Sequence, residues 1–237
     1  MPLSTPSFGR DFCRSDLWGA SDTRTVVLGL ELLDNLGHDK VRLCPQTHKL
    51  QQAVVLVASD DDEKNDTEMF YPLDDSLLSE IIVQVPSYSG RRADSPQWVP
   101  SVACGVLQHL FRQRPNTQLL LADFDWLPEP NLTNSSSAER SSTWAQGEPL
   151  VTCMDGSDHE CYLNAPILSD ILFPTNFGQL AKFLQKNIPS SARVQVQKQS
   201  QFLRLHGQDE IQKTRSWLTG YSPLVDDFGN CSIITVT

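Results

Sequence analysis

Two short apolar segments decide the fold class: VVLGL at Val26–Leu30 and QLLLADF at Gln118–Phe124. Such almost wholly apolar runs are typical of strands buried on both faces of a parallel sheet. Between them, at about Pro100–Arg114, apolar residues repeat every four positions, which predicts an amphipathic helix that Pro115 ends. Strands that alternate with helices indicate an α/β fold.

Further strands and helices are predicted around this pair. We expect strands at Val41–Cys44, Ala53–Ser59, Leu150–Cys153, Val194–Leu205 and Ser232–Val236. We expect helices that begin near Asp74 and near Thr175 or Asn176, and a third over Asp209–Leu218. Residues 1–25 are expected to be an irregular amino-terminal extension. Residues 26–237 would form one domain, with a loosely ordered insert at 128–149 that is rich in Ser, Asn, Thr and Pro.

Composition limits the classes of partner. The chain has 19 Lys and Arg against 29 Asp and Glu, a formal net charge of −10. Nucleic-acid affinity comes largely from Lys and Arg that displace counterions, so we expect no nucleic-acid partner. A peptide bearing Arg or Lys suits the charge better. No apolar run reaches the roughly 18 residues of a membrane-spanning helix. The 6 cysteines are scattered without a CxxC pair, which favours reduced thiols in an intracellular protein.

Both apolar segments run into acidic residues. Glu31 and Asp34 follow the first segment, and Asp123 lies near the end of the second. Ligands of open α/β sheets bind beyond the carboxyl ends of the strands, so these carboxylates can orient a cation there. A guanidinium suits them, because its planar donors match carboxylates two at a time. The alternative is that Asp34 and Asp125 cap neighbouring backbone while Glu31 is merely solvated.

Two other groups of polar residues have both a functional and a structural interpretation. His38 next to Asp39 can be an oriented imidazole that acts as a base, or a turn residue that bonds backbone. A second group falls within nine residues, but its spacing matches no zinc pattern, so we expect a polar loop and no metal site. Its members are Cys153, Asp155, Asp158, His159 and Cys161.

The glycines exclude several common ligand-binding turns. The chain has 12 glycines, and no two lie closer than eight positions. GxGxxG, phosphate-loop and GxSxG motifs are therefore absent. A turn that binds a dinucleotide or a methyl donor normally needs closely spaced glycines, so that backbone can approach the ligand.

The segment Val26–Lys40, VVLGLELLDNLGHDK, resembles the MidA-type methyltransferases, the family that includes the mitochondrial complex I assembly arginine methyltransferase. The resemblance is carried by Glu-x-x-Asp-Asn-Leu-Gly, from Glu31 to Gly37. QLLLADFDWLP at 118–128 and SDILFPTNF at 169–177 are similar to fungal-type members in order and spacing. The resemblance covers most of residues 26–237.

This resemblance implies a class I, Rossmann-like methyltransferase sheet with flanking helices. The chain would be its carboxyl-terminal part, starting just before the fourth strand and lacking the half that binds S-adenosyl-L-methionine. The implied activity is protein-arginine methylation on a mitochondrial complex I subunit, with an exposed arginine as the substrate group. We assign Glu31, Asp34 and Asp123 as catalytic, and we assign substrate-binding roles to Asn35, His38 and Asp39.

Two other functions remain open. A catalytically inactive interaction or assembly module would keep the fold without the methyl-donor site, and the missing glycine-rich turn favours it. A hydrolase that uses His38 and Asp39 is a third possibility, which is disfavoured because no positioned nucleophile motif accompanies them.

Overall fold

The structure, a computed structural model, describes residues 21–57, 66–89, 96–131, 147–159, 161–166 and 168–237. Most of the expected extension at 1–25 and of the expected insert at 128–149 lies outside these residues. The strands are β1 Thr25–Leu30, β2 Asp39–Leu43, β3 Leu50–Leu56, β4 Thr67–Pro72, β5 Gln97–Val99, β6 Thr117–Phe124, β7 Leu150–Cys153, β8 Asp158–His159, β9 Ser169–Leu172, β10 Val194–Lys198 and β11 Cys231–Val236. The helices are α1 Ser76–Gln84, α2 Ser101–Gln113, α3 Phe177–Asn187, α4 Gln199–His206, α5 Gln208–Thr214 and α6 Pro223–Asp226.

The two apolar segments form the parallel pair at one side of a four-stranded sheet. The strand order is β1-β6-β11-β10, and β1 runs parallel to β6 with Val26 opposite Gln118. The strand β11 is antiparallel to both β6 and β10. Because β1 and β6 are parallel, their carboxyl ends meet at the same edge, which we call the carboxyl edge of the sheet.

Helices α2 and α3 pack on one face of this sheet and enclose the core. The predicted apolar rows of α2 are confirmed, because Ala103, Leu107 and Phe111 are buried. Helix α3 adds a buried cluster that includes Leu180 and Phe183. Burying one large apolar side chain stabilises a fold by about 1.5–3 kcal/mol, so this face accounts for much of the domain's stability. The architecture confirms the predicted α/β class, with a sheet and flanking helices.

Strand β1 differs from its prediction as a strand buried on both faces. Val26, Leu28 and Leu30 are 63%, 69% and 68% exposed, whereas Gly29 is buried. Among the described strands β1 pairs with β6 alone, and its alternate side chains point away from the helices. An apolar run therefore marked a strand correctly, but it could not tell whether a second layer covers the outer face.

Two smaller sheets lie beside the main one. The first has the order β4-β3-β2-β5 and is antiparallel throughout; its neighbours β2 and β3 correspond to the strands expected at Val41–Cys44 and Ala53–Ser59. The second has the order β8-β7-β9. Within the described ranges, no helix combines the length and apolar character needed to cross a membrane.

Several predicted element boundaries were wrong, among them that of β3, which begins at Leu50 rather than at Ala53. The strand expected at Val194–Leu205 ends at Lys198, and α4 follows, because the polar alternation stops there and the apolar residues then take helical spacing. Helix α1 is capped by Asp75 rather than Asp74, with its carboxylate accepting the Leu78 N–H at 3.0 Å. The helix expected to reach Leu218 ends at Thr214.

Candidate functional site

The loop that follows β1 begins with a sharp turn at Glu31. Its backbone φ of 50° lies in the left-handed region, which a residue other than glycine rarely adopts. The Glu31 N–H donates to the Ala122 carbonyl at 2.9 Å, so backbone pairing with β6 continues to this residue. The chain leaves the sheet immediately afterwards, so the exposed Glu31 side chain stays at the carboxyl edge.

Asp123 fixes the loop that follows β1 through hydrogen bonds to its backbone. This side chain is 1% exposed, and its Oδ2 accepts the backbone N–H of Leu33 at 2.6 Å and that of Asp34 at 3.3 Å. Its Oδ1 accepts the N–H of Phe124 at 2.8 Å. A carboxylate that accepts several N–H groups fixes a backbone segment firmly, since such charge-assisted bonds are stronger than neutral ones. Asp123 thus positions the loop that carries the other two acids.

Asp34 is buried directly above Asp123. It is 2% exposed, and its Oδ1 accepts the Asn35 side-chain N–H at 2.7 Å. The same Asn35 amide also reaches the Glu31 carbonyl at 3.4 Å, so it bridges the two ends of the turn. Asn35 itself is exposed. The Asn35 amide therefore occupies one acceptor of the Asp34 carboxylate at the solvent side of the loop.

Electrostatics couples the three acids. Burial raises the pKa of Asp34 most; the Asn35 hydrogen bonds oppose this rise, and the Glu31 charge adds to it. Burial also raises the pKa of Asp123; the Phe124 N–H opposes the rise, and the Asp34 charge adds to it. Burial therefore makes Asp34 and Asp123 harder to ionise, and a neighbouring carboxylate adds to the rise of each pKa. A cation placed beside Glu31 and Asp34 would relieve that repulsion.

His38 lies beside this loop as a half-buried, neutral imidazole. Its Nδ1 lies 2.9 Å from the Leu36 carbonyl, which can only accept, so the proton is on Nδ1. The ring stacks on Phe173 with centroids 4.3 Å apart and planes 9° from parallel. Burial lowers the pKa of His38 to about 4. The stacked ring packs the loop against Phe173, whose N–H donates to the Asp34 carbonyl at 2.9 Å.

Asp39 lies apart from the other predicted site residues. It opens β2 in the sheet with the order β4-β3-β2-β5, opposite Val99, and its carboxylate accepts the hydroxyl of Ser101 at the start of α2. The structure therefore brings Glu31, Asp34, Asn35 and Asp123 together at the carboxyl edge and places His38 against their loop. Asp39 faces the helix start instead.

Sequence reasoning missed the segment 173–175 as part of this edge. The Phe173 N–H bonds Asp34, and the Thr175 N–H donates to the Phe124 carbonyl at 2.9 Å, so the segment joins the loop after β1 to the end of β6. No local pattern marks such a contact between residues so distant in the chain. The similarity of SDILFPTNF to related sequences was the only signal at this position.

The polar group around Cys153 forms local contacts. The Cys153 sulfur lies 3.2 Å from His159 Nε2 and 3.0 Å from Ser169 Oγ, and Asp155 accepts bonds from Ser157. Across the residues that the structure describes, no three His, Cys, Asp or Glu side chains gather as a metal site would require.

Comparisons with known proteins place this geometry in a family. Residues 12–194 match the profile of a family described as "Putative S-adenosyl-L-methionine-dependent methyltransferase". The chain belongs to this methyltransferase family. A search of curated proteins found no match.

Two solved structures from Burkholderia thailandensis share the fold. One is a protein described as a "likely methyl transferase", in a crystal structure with bound S-adenosyl-homocysteine. It has a TM-score of 0.60 and 14% sequence identity, over 93% of this chain and 55% of its own length. The other is a native structure of an uncharacterised protein from the same superfamily as the first. It has a TM-score of 0.63 and 15% sequence identity, over 92% of this chain and 57% of its own length. The chain thus spans a little over half the length of these structures.

The family uses S-adenosyl-L-methionine as its methyl donor, and the described residues can be tested against that ligand. The turn after β1 is made by Glu31, and the glycines with positive φ (Gly147, Gly156 and Gly220) lie in separate loops. The polar side chains of the turn after β1 include the carboxylates of Glu31 and Asp34, which suit a cationic group of a ligand rather than an anionic one. Among the described residues there is no closely spaced pair of glycines of the kind that a methyl-donor turn normally uses.

Proposed function

We propose that this chain forms the acceptor-binding part of a protein-arginine methyltransferase. The observation that carries the proposal is the placement of Glu31 and Asp34 on one turn at the carboxyl edge, above the buried Asp123. An arginine in a protein would be the substrate group. A mitochondrial location and a complex I subunit as target rest on the resemblance of Val26–Lys40 alone.

In this proposal the two acids hold the guanidinium together. Glu31 is exposed and meets the cation first, while Asp34 lies behind the Asn35 amide. A guanidinium N–H can replace the Asn35 N–H at Asp34 Oδ1, because Asn35 is exposed and free to turn outward. The guanidinium keeps its charge, so its arrival would favour ionised Asp34. Two oriented acceptors would then fix the plane of the guanidinium and the direction of its nitrogen lone pair.

We further propose that polypeptide covering the outer face of β1 supplies the site for the methyl donor. Three large apolar side chains, Val26, Leu28 and Leu30, are each more than 60% exposed there. An exposed apolar edge strand is a site for pairing with further strands. The solved structures with this fold are nearly twice as long as the segment that the chain matches, which leaves room for such a part.

An assembly module without catalytic activity is the second candidate. It is favoured by the same exposed edge, which can bind a partner, and by the lack of a glycine-rich turn among the described residues. Such a module would bind protein through β1 and would not need the acidic loop.

Transfer of a radiolabelled methyl group to a capped arginine peptide tests the proposal. The wild-type sequence, Glu31→Gln and Asp34→Asn would be compared within a longer protein that also carries the polypeptide with the methyl-donor site. Glu129→Gln, at another exposed glutamate, is the control. Removing one charged hydrogen bond costs about 1.5–3 kcal/mol, so we expect transfer to fall by about 10- to 100-fold in both site variants. No transfer by any form of this longer protein, although calorimetry shows that it binds S-adenosyl-L-methionine, would favour the assembly module.

A further inference from the structure

A cavity of about 590 Å³ opens at the carboxyl edge, next to the segment 173–175 whose first residue, Phe173, bonds Asp34. Its wall includes Asp125, Trp126, Thr175, Phe177 and Lys198. The volume falls within the range of roughly 300–1,000 Å³ that is usual for ligand sites. None of the roles assigned above uses this cavity.

Two buried polar atoms at this cavity have no partner within the described structure. Thr175 is 1% exposed, and its Oγ1 makes no hydrogen bond. Asp125 Oδ1 is also buried without a partner, although its Oδ2 accepts the Ser232 hydroxyl and the Lys198 ammonium. Buried polar groups are nearly always hydrogen-bonded, so two unsatisfied atoms in one cavity point to a ligand that bonds both.

The chemistry of the wall selects an uncharged polar ligand. The Lys198 ammonium already balances the Asp125 charge, so the cavity offers no net charge to an ion. Asp125 Oδ1 needs an N–H or O–H donor, whereas the Thr175 hydroxyl can donate to a carbonyl. The amino-terminal end of α3 lines the same cavity. There the N–H groups of Phe177 and Gln179 are bonded within the turn, and the N–H of Gly178 can donate to a carbonyl oxygen of a ligand. A peptide amide presents an N–H and a C=O in this way.

We propose that this cavity binds the main chain of the substrate protein beside its acceptor arginine. The segment from Phe173, bonded to Asp34, to Thr175 at the cavity spans two residues, which is about 7 Å in extended backbone. A bound peptide covers that distance in about two residues. Trp126, which is 45% exposed, supplies an apolar surface for a neighbouring side chain. The inference rests on the proposed function for the position of the arginine, but the cavity recognises any peptide amide.

The test measures binding of two capped peptides to the whole chain by isothermal titration. The peptides are N-acetyl-Gly-Gly-Arg-Gly-Gly-amide and the same peptide with Ala in place of Arg. Wild type is compared with Thr175→Val, which keeps the shape of the side chain and removes Oγ1. Thr67→Val, at an exposed threonine of β4, is the matched control. Thermal unfolding of each form is measured in parallel.

We expect Thr175→Val to weaken binding of both peptides about tenfold while its unfolding temperature stays equal or rises, since the hydroxyl has no partner to lose. Unchanged affinity in Thr175→Val, or no binding of either peptide to wild type, would overturn the proposal. A lower unfolding temperature in Thr175→Val would also overturn it, because the hydroxyl would then be bonded within the protein. A preference for the Arg peptide over the Ala peptide tests the arginine site separately, so one proposal can fail while the other stands.

Discussion

The carboxylate of Asp123 accepts the backbone N–H of Leu33 at 2.6 Å, across a sequence separation of 90 residues. This bond ties the loop after β1 to the end of β6 and sets the height of Asp34 above the sheet. The two buried acids at this edge, Asp34 and Asp123, therefore have different hydrogen-bond partners. Asp123 is committed to backbone, whereas Asp34 accepts from the exposed Asn35 amide.

Because their partners differ, we expect replacement of Asp123 and of Asp34 by Asn to have different effects on the free energy of unfolding. Asp123→Asn replaces one acceptor oxygen by an N–H₂ group that faces backbone N–H groups, so we expect a loss of roughly 2 kcal/mol in the free energy of unfolding. Asp34→Asn keeps the acceptor for Asn35 and removes a buried charge, so stability at pH 7 should be unchanged or higher. Urea unfolding of the two variants measures both. Equal losses of unfolding free energy in the two variants would contradict the conclusion that Asp123, and not Asp34, fixes the backbone of the loop.

The lowered pKa of the half-buried His38 predicts a loss of stability in mild acid. Its pKa is about 4 in the folded state, against an ordinary value of 6.5, so the unfolded chain binds a proton that the folded chain does not. The free energy of unfolding should therefore fall as the pH drops from about 6.5 towards 4, by roughly 3 kcal/mol at most.

His38→Phe supplies the comparison, because phenylalanine can stack on Phe173 and does not titrate. Asp34 and Asp123, whose pKa values are raised, change stability in the opposite direction, and they are present in both forms. The difference between wild type and His38→Phe at each pH therefore isolates the imidazole. A constant difference from pH 4 to pH 7 would contradict a His38 that stays neutral in the folded state.

The close packing of β1 against β6 predicts that Gly29 cannot carry a side chain. A Cβ at this position would lie 2.6 Å from the Leu121 side chain, which is buried in the core. Gly29→Ala should therefore lower the free energy of unfolding by about 1–3 kcal/mol. Gly37→Ala is the control, since its Cβ would meet Val102 at an ordinary 3.5 Å. Similar unfolding temperatures for the two variants would show that the Leu121 side chain can move aside to make room for the added methyl group.

Most of the main sheet could be predicted from the sequence, because its strands and helices are marked by patterns within short stretches of the chain. The apolar runs of β1 and β6 and the four-residue rows of α2 depend on the chain's own periodicity, and each was found where expected. The acids Glu31, Asp34 and Asp123 were also predicted to meet, since parallel strands end at one edge. The left-handed turn at Glu31 and the contact of Phe173 with Asp34 were not predicted, because no local pattern encodes either.

The exposed face of β1 predicts association through that strand. Leu28 is 69% exposed, and with Val26 and Leu30 it forms an apolar stripe beside an edge that no described strand covers. Leu28→Lys should reduce self-association in sedimentation velocity and leave the free energy of unfolding within about 0.5 kcal/mol of wild type. Marked destabilisation by Leu28→Lys would show that this side chain is already packed.

Binding of an arginine peptide against its citrulline counterpart tests the acidic loop most directly. Citrulline keeps the size and planarity of arginine but carries no charge, and calorimetry of binding does not depend on methyl transfer. We predict that the wild-type chain binds the arginine peptide at least tenfold more tightly, and that Glu31→Gln with Asp34→Asn removes this preference. Equal affinity for the two peptides in the wild type, or a preference that survives both substitutions, would contradict a guanidinium site at Glu31 and Asp34.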